Sequence, residues 1–338
     1  MPTPRVIHSP IYLSSIPRSG ATLLAAMLNN HKNIAMFNEP WIFHMLPKYG
    51  TLSKRLNAKM LVEDLARTAA SFGIKISVTL KTRVLEEIHQ QSISDPIEGI
   101  IVFMNHYARE MGKPRWGIKQ PRELAEIPKL LRYIPNLKII HVVRDPRSTV
   151  ALRKGKSNPS IQSYAQVYRF SYSWLNEMRL ANKACMLVDS NYFEVRYEDL
   201  IENPHRLLKN ICEFLGEDFD PAMLEYYHRD NPYVPRDQQG KPRKTHHDVL
   251  QPVYTKDRDV WRHILTDYEV AVCEKICLPE MLTRSYVPIG SPVVPNYTRD
   301  ILVALLFRWN QFRYFLRDAV LERFFHETRK LFILIFTH

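Results

Sequence analysis

The stretch Tyr12–His31, YLSSIPRSGATLLAAMLNNH, constrains this chain more than any other. An apolar run, a short loop around Arg18 and Gly20, and a run with apolar residues at helical spacing follow one another directly. That order reads as strand, tight turn and helix, with turn amides and a helix N-terminus facing an anion. A triphosphate-binding loop of the form G-x-x-x-x-G-K-[ST] carries a lysine before its hydroxyl. With Gly20 as the second glycine, Ser15 stands at the first, Ala21 at the lysine and Thr22 at the hydroxyl. The positive charge has moved inside the loop to Arg18, whose planar fork suits a pair of phosphate oxygens. The plain alternative is an Arg18 that makes a salt bridge and a Gly20 that only turns the chain.

The rest of the sequence supplies the other parts of an α/β fold. Residues 11–16, 33–37, 115–120, 136–145 and 192–200 are short strand candidates, and IIHVV is the most apolar and β-branched of them. Helical patterns lie between them: 20–30, most of 54–112, RELAEIPKLLRYI with a break at Pro128, and 160–185. NPHRLLKNICEFLG has Pro204 at its start and Gly216 as its stop. Alternating strands and helices predict a P-loop-like parallel sheet flanked by helices, with right-handed crossovers. Ligands then bind at the carboxyl ends of the strands, where the loops after 16, 37, 119, 143 and 196 gather.

Composition narrows the partners. The net charge of +12 over 338 residues favours anionic ligands. Its basic residues are spread along the chain without a nucleic-acid motif, so no nucleic-acid partner is expected. Cys185, Cys212, Cys273 and Cys277 make no C-x-x-C pair, and Cys273 and Cys277 sit one helical turn apart as packing residues. Neither a zinc site nor a disulfide scaffold is expected. After IIHVV, where a triphosphatase would place a metal-binding acid, the chain has Arg144, and Asp145 beside Arg147 reads as an ion pair. The N-terminus has no basic segment followed by a long apolar run, which predicts a cytoplasmic protein without a signal peptide. Asn296 begins a glycosylation sequon, taken as chance on the same ground.

At this point the motifs resemble those of the sulfotransferases that use 3'-phosphoadenosine 5'-phosphosulfate (PAPS). PRSGATLL is similar to that family's PRSGTTLL loop, with Ala21 in place of a threonine. The resemblance implies that Arg18, Ser19, Gly20, Ala21, Thr22 and Leu23 grip the 5'-phosphosulfate. VVRDPRSTVAL resembles the 3'-phosphate segment, which implies that role for Arg144. The family's serine eight residues on is here Leu152, and Arg153, Lys154 and Ser157 are the candidates to replace it. VRYEDL resembles the segment whose tyrosine, here Tyr197, lies against the adenine. VYTKDRDVWRHIL looks like the C-terminal donor loop with Trp261 as anchor. There Gln251 stands where the tyrosylprotein branch has a lysine, which leaves Lys256 and Arg262 as the nearby cations. The resemblance covers roughly residues 10–285.

The chemistry follows from what sulfuryl transfer requires: an acceptor that loses a proton and a leaving phosphate that is stabilised. No metal is formally needed, because the sulfuryl group carries less charge than a phosphoryl group. Glu39, in MFNEPW, follows a strand next to the loop and can act as general base. The resemblance to the tyrosylprotein branch implies that role, while a helix-start carboxylate before Pro40 is the plain reading. Lys119, in WGIKQP, ends another strand, and the resemblance implies that it offsets charge on the leaving phosphate; a weak surface pair is the plain reading. No histidine stands in a base motif, which points to the carboxylate-base branches: tyrosylprotein, carbohydrate and bacterial enzymes.

The expected organisation is a catalytic domain over 1–290 and an amphipathic helical extension over 291–338. The extension's apolar stripe, from Leu302 to Ile335, faces arginines and Lys330. It predicts either packing on the domain or a second copy, or a peripheral contact with anionic membrane. A small molecule, glycan, lipid or peptide all remain open as acceptor, with residues 40–115 and 228–260 expected to form its pocket. A P-loop nucleotide kinase and a basic non-enzymatic binder of nucleic acid or anionic lipid are the competing readings.

Overall fold

Five apolar runs become five strands, and neighbouring strands all run parallel. In a computed structural model, which describes residues 8–40, 56–154, 164–227, 249–253 and 258–290, they are β1 (Ile11–Ser15), β2 (Ile34–Asn38), β3 (Arg115–Lys119), β4 (Lys138–Val143) and β5 (Tyr192–Arg196). The order across the sheet is β2-β3-β1-β4-β5, with Ile11 opposite Gly117 on one side and Lys138 on the other. The first four strands are buried on both faces except at Lys138, which explains why they read as apolar runs rather than as alternating ones.

Period-two alternation still decides which face each residue serves. Tyr12, Ala35, Phe37, Trp116, Ile118 and Ile139 pack beneath α2 (Ala58–Ser71), α3 (Val78–Gln90), α4 (Pro96–Glu110), α5 (Ile127–Leu131) and the far end of α7 (Tyr164–Val188). Ile11, Leu13, Ile34, Met36, Ile140 and Val142 pack against α1 (Ala21–Asn30) and α9 (Pro204–Leu215) on the other face. A third cluster lies beyond the carboxyl ends, where Ile16 and Val143 meet α6 (Pro146–Lys154), α7, Trp261 and α10 (Asp267–Thr283).

Local signals account for most boundaries. Asp95 caps α4 by accepting from the N–H of Ile97 at 2.7 Å, with Pro96 in the first turn. Gly216 ends α9 in the left-handed conformation, φ 71°, as its position after the apolar pattern predicts. Cys273 and Cys277 are fully buried packing residues. Two expectations shift. The segment 136–145 yields a strand of Lys138–Val143, because Arg144 and Asp145 already turn into α6. The strand expected over 192–200 stops at Arg196, and Tyr197 opens a short helix, α8 (Tyr197–Glu202). The extension 291–338, the loop at 228–248, Lys256, Ser157 and Asn296 lie outside the described residues.

The topology fixes where a ligand can sit. From β1 the chain leaves toward β2, and from β4 it leaves toward β5, although β1 and β4 are neighbours. Loops that depart in opposite directions open a crevice between them at the carboxyl edge.

Candidate active site

The loop after β1 occupies one wall of that crevice. Arg18 (φ 79°) and Gly20 (φ 86°) both adopt left-handed backbone, and the N–H of Ser19 donates to the carbonyl of Ile16 at 3.3 Å. Such alternation turns successive amides inward, toward an anion. Helix α1 then starts without a side-chain cap or an acidic residue in its first turn, which leaves its positive end open. Ala21 is buried in the α1 core, so the position a triphosphatase lysine would fill carries no charge, while Thr22 and Leu23 are half-buried in the first turn. Ser19 is 1% exposed, and among the described residues its hydroxyl has no hydrogen-bond partner, as expected of a group that serves a ligand.

Tyr197 and Arg144 form the opposite wall. A β-carbon added to Gly20 would lie 2.2 Å from Cδ2 of Tyr197, so the ring rests directly on the glycine backbone. The Arg144 guanidinium stacks on the same ring, 4.1 Å from its centroid, and donates to the carbonyl of Arg18 at 3.4 Å. Trp174, fully buried on α7, donates its indole N–H to the carbonyl of Arg144 at 2.9 Å and so fixes the turn after β4. Trp261 is buried between the guanidiniums of Arg147 and Arg262, each 4.4 Å from the indole, in a short turn, Val260–His263. Asp145 is paired with Arg147 at 2.6 Å, as expected, and Arg147 also reaches Glu274 at 2.7 Å. Lys154 is engaged with Glu269 at 2.6 Å, and Arg153 lies over Phe170, 4.0 Å from the ring.

Glu39 and Lys119 meet at the ends of neighbouring strands. Asn38 pairs with Lys119 in the β2–β3 ladder, and the N–H of Glu39 extends it by donating to the carbonyl of Lys119 at 2.8 Å. Glu39 sits at φ 44°, a left-handed turn that swings its side chain back over β3. Its carboxylate forms an ion pair with the Lys119 ammonium, which is 7% exposed against 24% for the carboxylate. Two chemically opposite groups thus share one partly buried site beside the anion loop.

Sequence reasoning missed three supports. Glu198 accepts from the N–H of Asp145 at 3.0 Å and from the Tyr286 hydroxyl at 2.8 Å, tying α8 to the turn after β4. Its place directly after Tyr197 was a legible signal. Trp174 and the Arg147–Glu274 pair gave no signal, because their partners are distant in sequence. Among the described residues no cluster of His, Cys, Asp or Glu could hold a metal ion, and no helix is long and apolar enough to cross a membrane.

A family model described as the sulfotransferase family matches residues 10–221. The chain belongs to the sulfotransferase family. A putative protein-tyrosine sulfotransferase of Caenorhabditis briggsae is 23% identical over 218 residues, 64% of this chain and 69% of its own length. An uncharacterized protein of Aquifex aeolicus is 22% identical over 310 residues, 87% of this chain but 35% of that longer protein. Among solved structures, a sulfotransferase domain from the curacin biosynthetic pathway superposes with a TM-score of 0.53 at 21% identity, covering 84% of this chain and 99% of that domain. That likeness establishes the parallel-sheet fold of the sulfotransferase.

Proposed function

We propose that this sulfotransferase moves a sulfuryl group from PAPS to an acceptor hydroxyl or amine by in-line transfer, with Glu39 as general base. The observation that carries the reading is the Glu39–Lys119 pair at the carboxyl edge, one strand away from the loop of β1. The residues present fit a nucleotide bisphosphate. Arg18, the orphan hydroxyl of Ser19, Gly20, Ala21, Thr22 and Leu23 would hold the 5' group through amides, hydroxyls and one guanidinium. Tyr197 would face the adenine, Arg144 the 3'-phosphate, and Trp261 with Arg262 would close the C-terminal side.

When bound, the donor supplies the sulfuryl group on a phosphate leaving group. Glu39 accepts the proton from the acceptor oxygen at its Oε atoms. Lys119 releases Glu39 and turns its ammonium to the charge that builds on the leaving oxygen. The partial burial of the pair keeps water from screening that charge. The nematode relative is named for protein tyrosine, a hydroxyl acceptor, which supports an oxygen nucleophile here.

The test is a thermal-shift panel together with two variants. 3'-Phosphoadenosine 5'-phosphate (PAP) is expected to raise the unfolding temperature, and ATP with magnesium at the same concentration is not. Lys119→Ala should lower turnover about a hundred- to thousandfold, the usual loss for one preorganised charge stabiliser. Glu39→Gln should lower it about a hundred- to ten-thousandfold with PAP affinity retained. Full activity in Glu39→Gln sinks the base assignment, and stabilisation by ATP instead of PAP favours the kinase reading.

A further inference from the structure

Three arginines from three separate segments gather beyond the carboxyl end of β1, where Ile16 and Phe170 share one cluster. Arg122 follows Lys119 by three residues, which keeps its backbone within about 10 Å of that residue. It sits at φ 65°, and its N–H donates to the carbonyl of Ser15 at the end of β1 at 3.2 Å. Arg153 lies in the last turn of α6, and its guanidinium lies 4.0 Å from the centroid of Phe170 on α7. Arg169, one residue before Phe170, holds its guanidinium 6.0 Å from the same ring. Burial, then Arg122, then Arg169 push the Arg153 guanidinium down to about 9. Arg122 is lowered too, by burial and by Arg169.

Two of these charges, Arg122 and Arg169, call for a counter-ion. Neither Arg122 nor Arg169 makes an ion pair among the described residues. The carboxyl that Arg122 feels is Glu177, which is 5% exposed, and burial pushes it above the ordinary glutamate range against the pull of His141 and Arg122. Arg122 and Arg169 are exposed and so can be reached from solution.

The face of α6 that the family's 3'-phosphate serine would occupy, at Leu152, is not the face that carries Arg153. On α6 the face carrying Ser148 and Leu152 looks toward the C-terminal segment, since the Ser148 hydroxyl donates to the carbonyl of Arg258 at 3.0 Å. Arg153 is turned about 100° from Leu152 around the helix, toward Phe170 of α7. The loop that carries Arg122 follows Lys119, the last residue of β3 and the one paired with Glu39.

We propose that Arg153 and Arg169 at the Phe170 ring, with Arg122 at the end of β1 beside the cluster that Phe170 shares with Ile16, form a subsite for an anionic group carried by the acceptor, a carboxylate, phosphate or sulfate, next to the hydroxyl held at Glu39. This rests on the reading of Glu39 and Lys119 as the reacting end of the site. The acceptor is therefore an anionic alcohol or phenol, and Arg153 serves it in place of the donor's 3'-phosphate.

The test is calorimetric titration of inorganic pyrophosphate into the PAP-loaded protein, repeated with Arg122→Gln/Arg169→Gln. Both substituted residues are exposed, and Arg122→Lys/Arg169→Lys preserves the charge as a control for folding. The expected result is a single pyrophosphate site that weakens about tenfold or more in the Gln variant, as loss of charge-assisted bonds implies, and recovers most of its affinity in the Lys variant. PAP affinity should stay within about twofold, well inside the tenfold that 1.4 kcal/mol represents. Unchanged pyrophosphate binding in the Gln variant overturns the subsite. A parallel loss of PAP affinity overturns it as well, by assigning the arginines to the donor. If PAP does not bind the parent at all, the donor reading fails, and titration of the unloaded protein still reads the arginine cluster.

Discussion

At the scale of single residues, Gly20 carries the tightest constraint. Its φ of 86° and the Tyr197 ring against its backbone both exclude a side chain. Gly20→Ala should cost about 1–3 kcal/mol of stability, the range for a residue forced into a sparsely populated conformation. It should also weaken PAP binding in calorimetry, because the ring must move off the loop. Adding Tyr197→Ala should restore part of the stability, read from the urea midpoint, and none of the affinity. A Gly20→Ala protein as stable as the parent would show that the ring yields freely. Gly20, Arg18 and Lys119 were legible in the sequence because each needs only its neighbours to be recognised: a glycine at a strand-to-helix turn, a cation inside it, a cation at a strand end. Arg122 and Arg169 were not, because 46 intervening positions meet only after the sheet has formed.

Among elements, α6 is the part most dependent on long-range support. Its first turn is pinned by Arg147, which pairs with Asp145 on one side and with Glu274 of α10 on the other, all nearly buried. Removing one member of a buried ion network leaves its partners charged and dry, which costs about 3–5 kcal/mol. Arg147→Met should therefore lower stability by that order in denaturant unfolding, and Asp145→Asn/Arg147→Met/Glu274→Gln should recover part of it. Equal losses in both would mean that packing against Trp261, not charge, is what Arg147 contributes. The same network explains a boundary that the sequence could not set. IIHVVRD reads as one strand, but Arg144 and Asp145 belong to the turn, because Trp174 and Glu198 bind their backbone from α7 and α8. The helix stop at Gly216 was legible, since a cap is a contact within a few residues.

Across the whole molecule, the order β2-β3-β1-β4-β5 divides the carboxyl edge into two ends. Loops after β1, β4 and β5 bring together Gly20, Arg144 and Tyr197, while the ends of β2 and β3 bring together Glu39 and Lys119. Arg122 lies where these ends meet, with its N–H on the carbonyl of Ser15, and a fold selected for stability alone would not add its charge to those of Arg153 and Arg169. Replacing such charges is a common route to greater stability, worth about 0.5–2 kcal/mol, at the cost of function. Arg122→Gln/Arg169→Gln should accordingly be more stable than the parent in urea at low salt. The gap should narrow as sodium chloride screens the parent's repulsion. Pyrophosphate should reverse the ranking, because a ligand at a hundred times its Kd adds about 2.7 kcal/mol to the parent and far less to a variant that binds it weakly. A variant less stable than the parent at every salt concentration would mean that Arg169 holds α7 in place through the Phe170 ring, and that the convergence of charge is a consequence of packing.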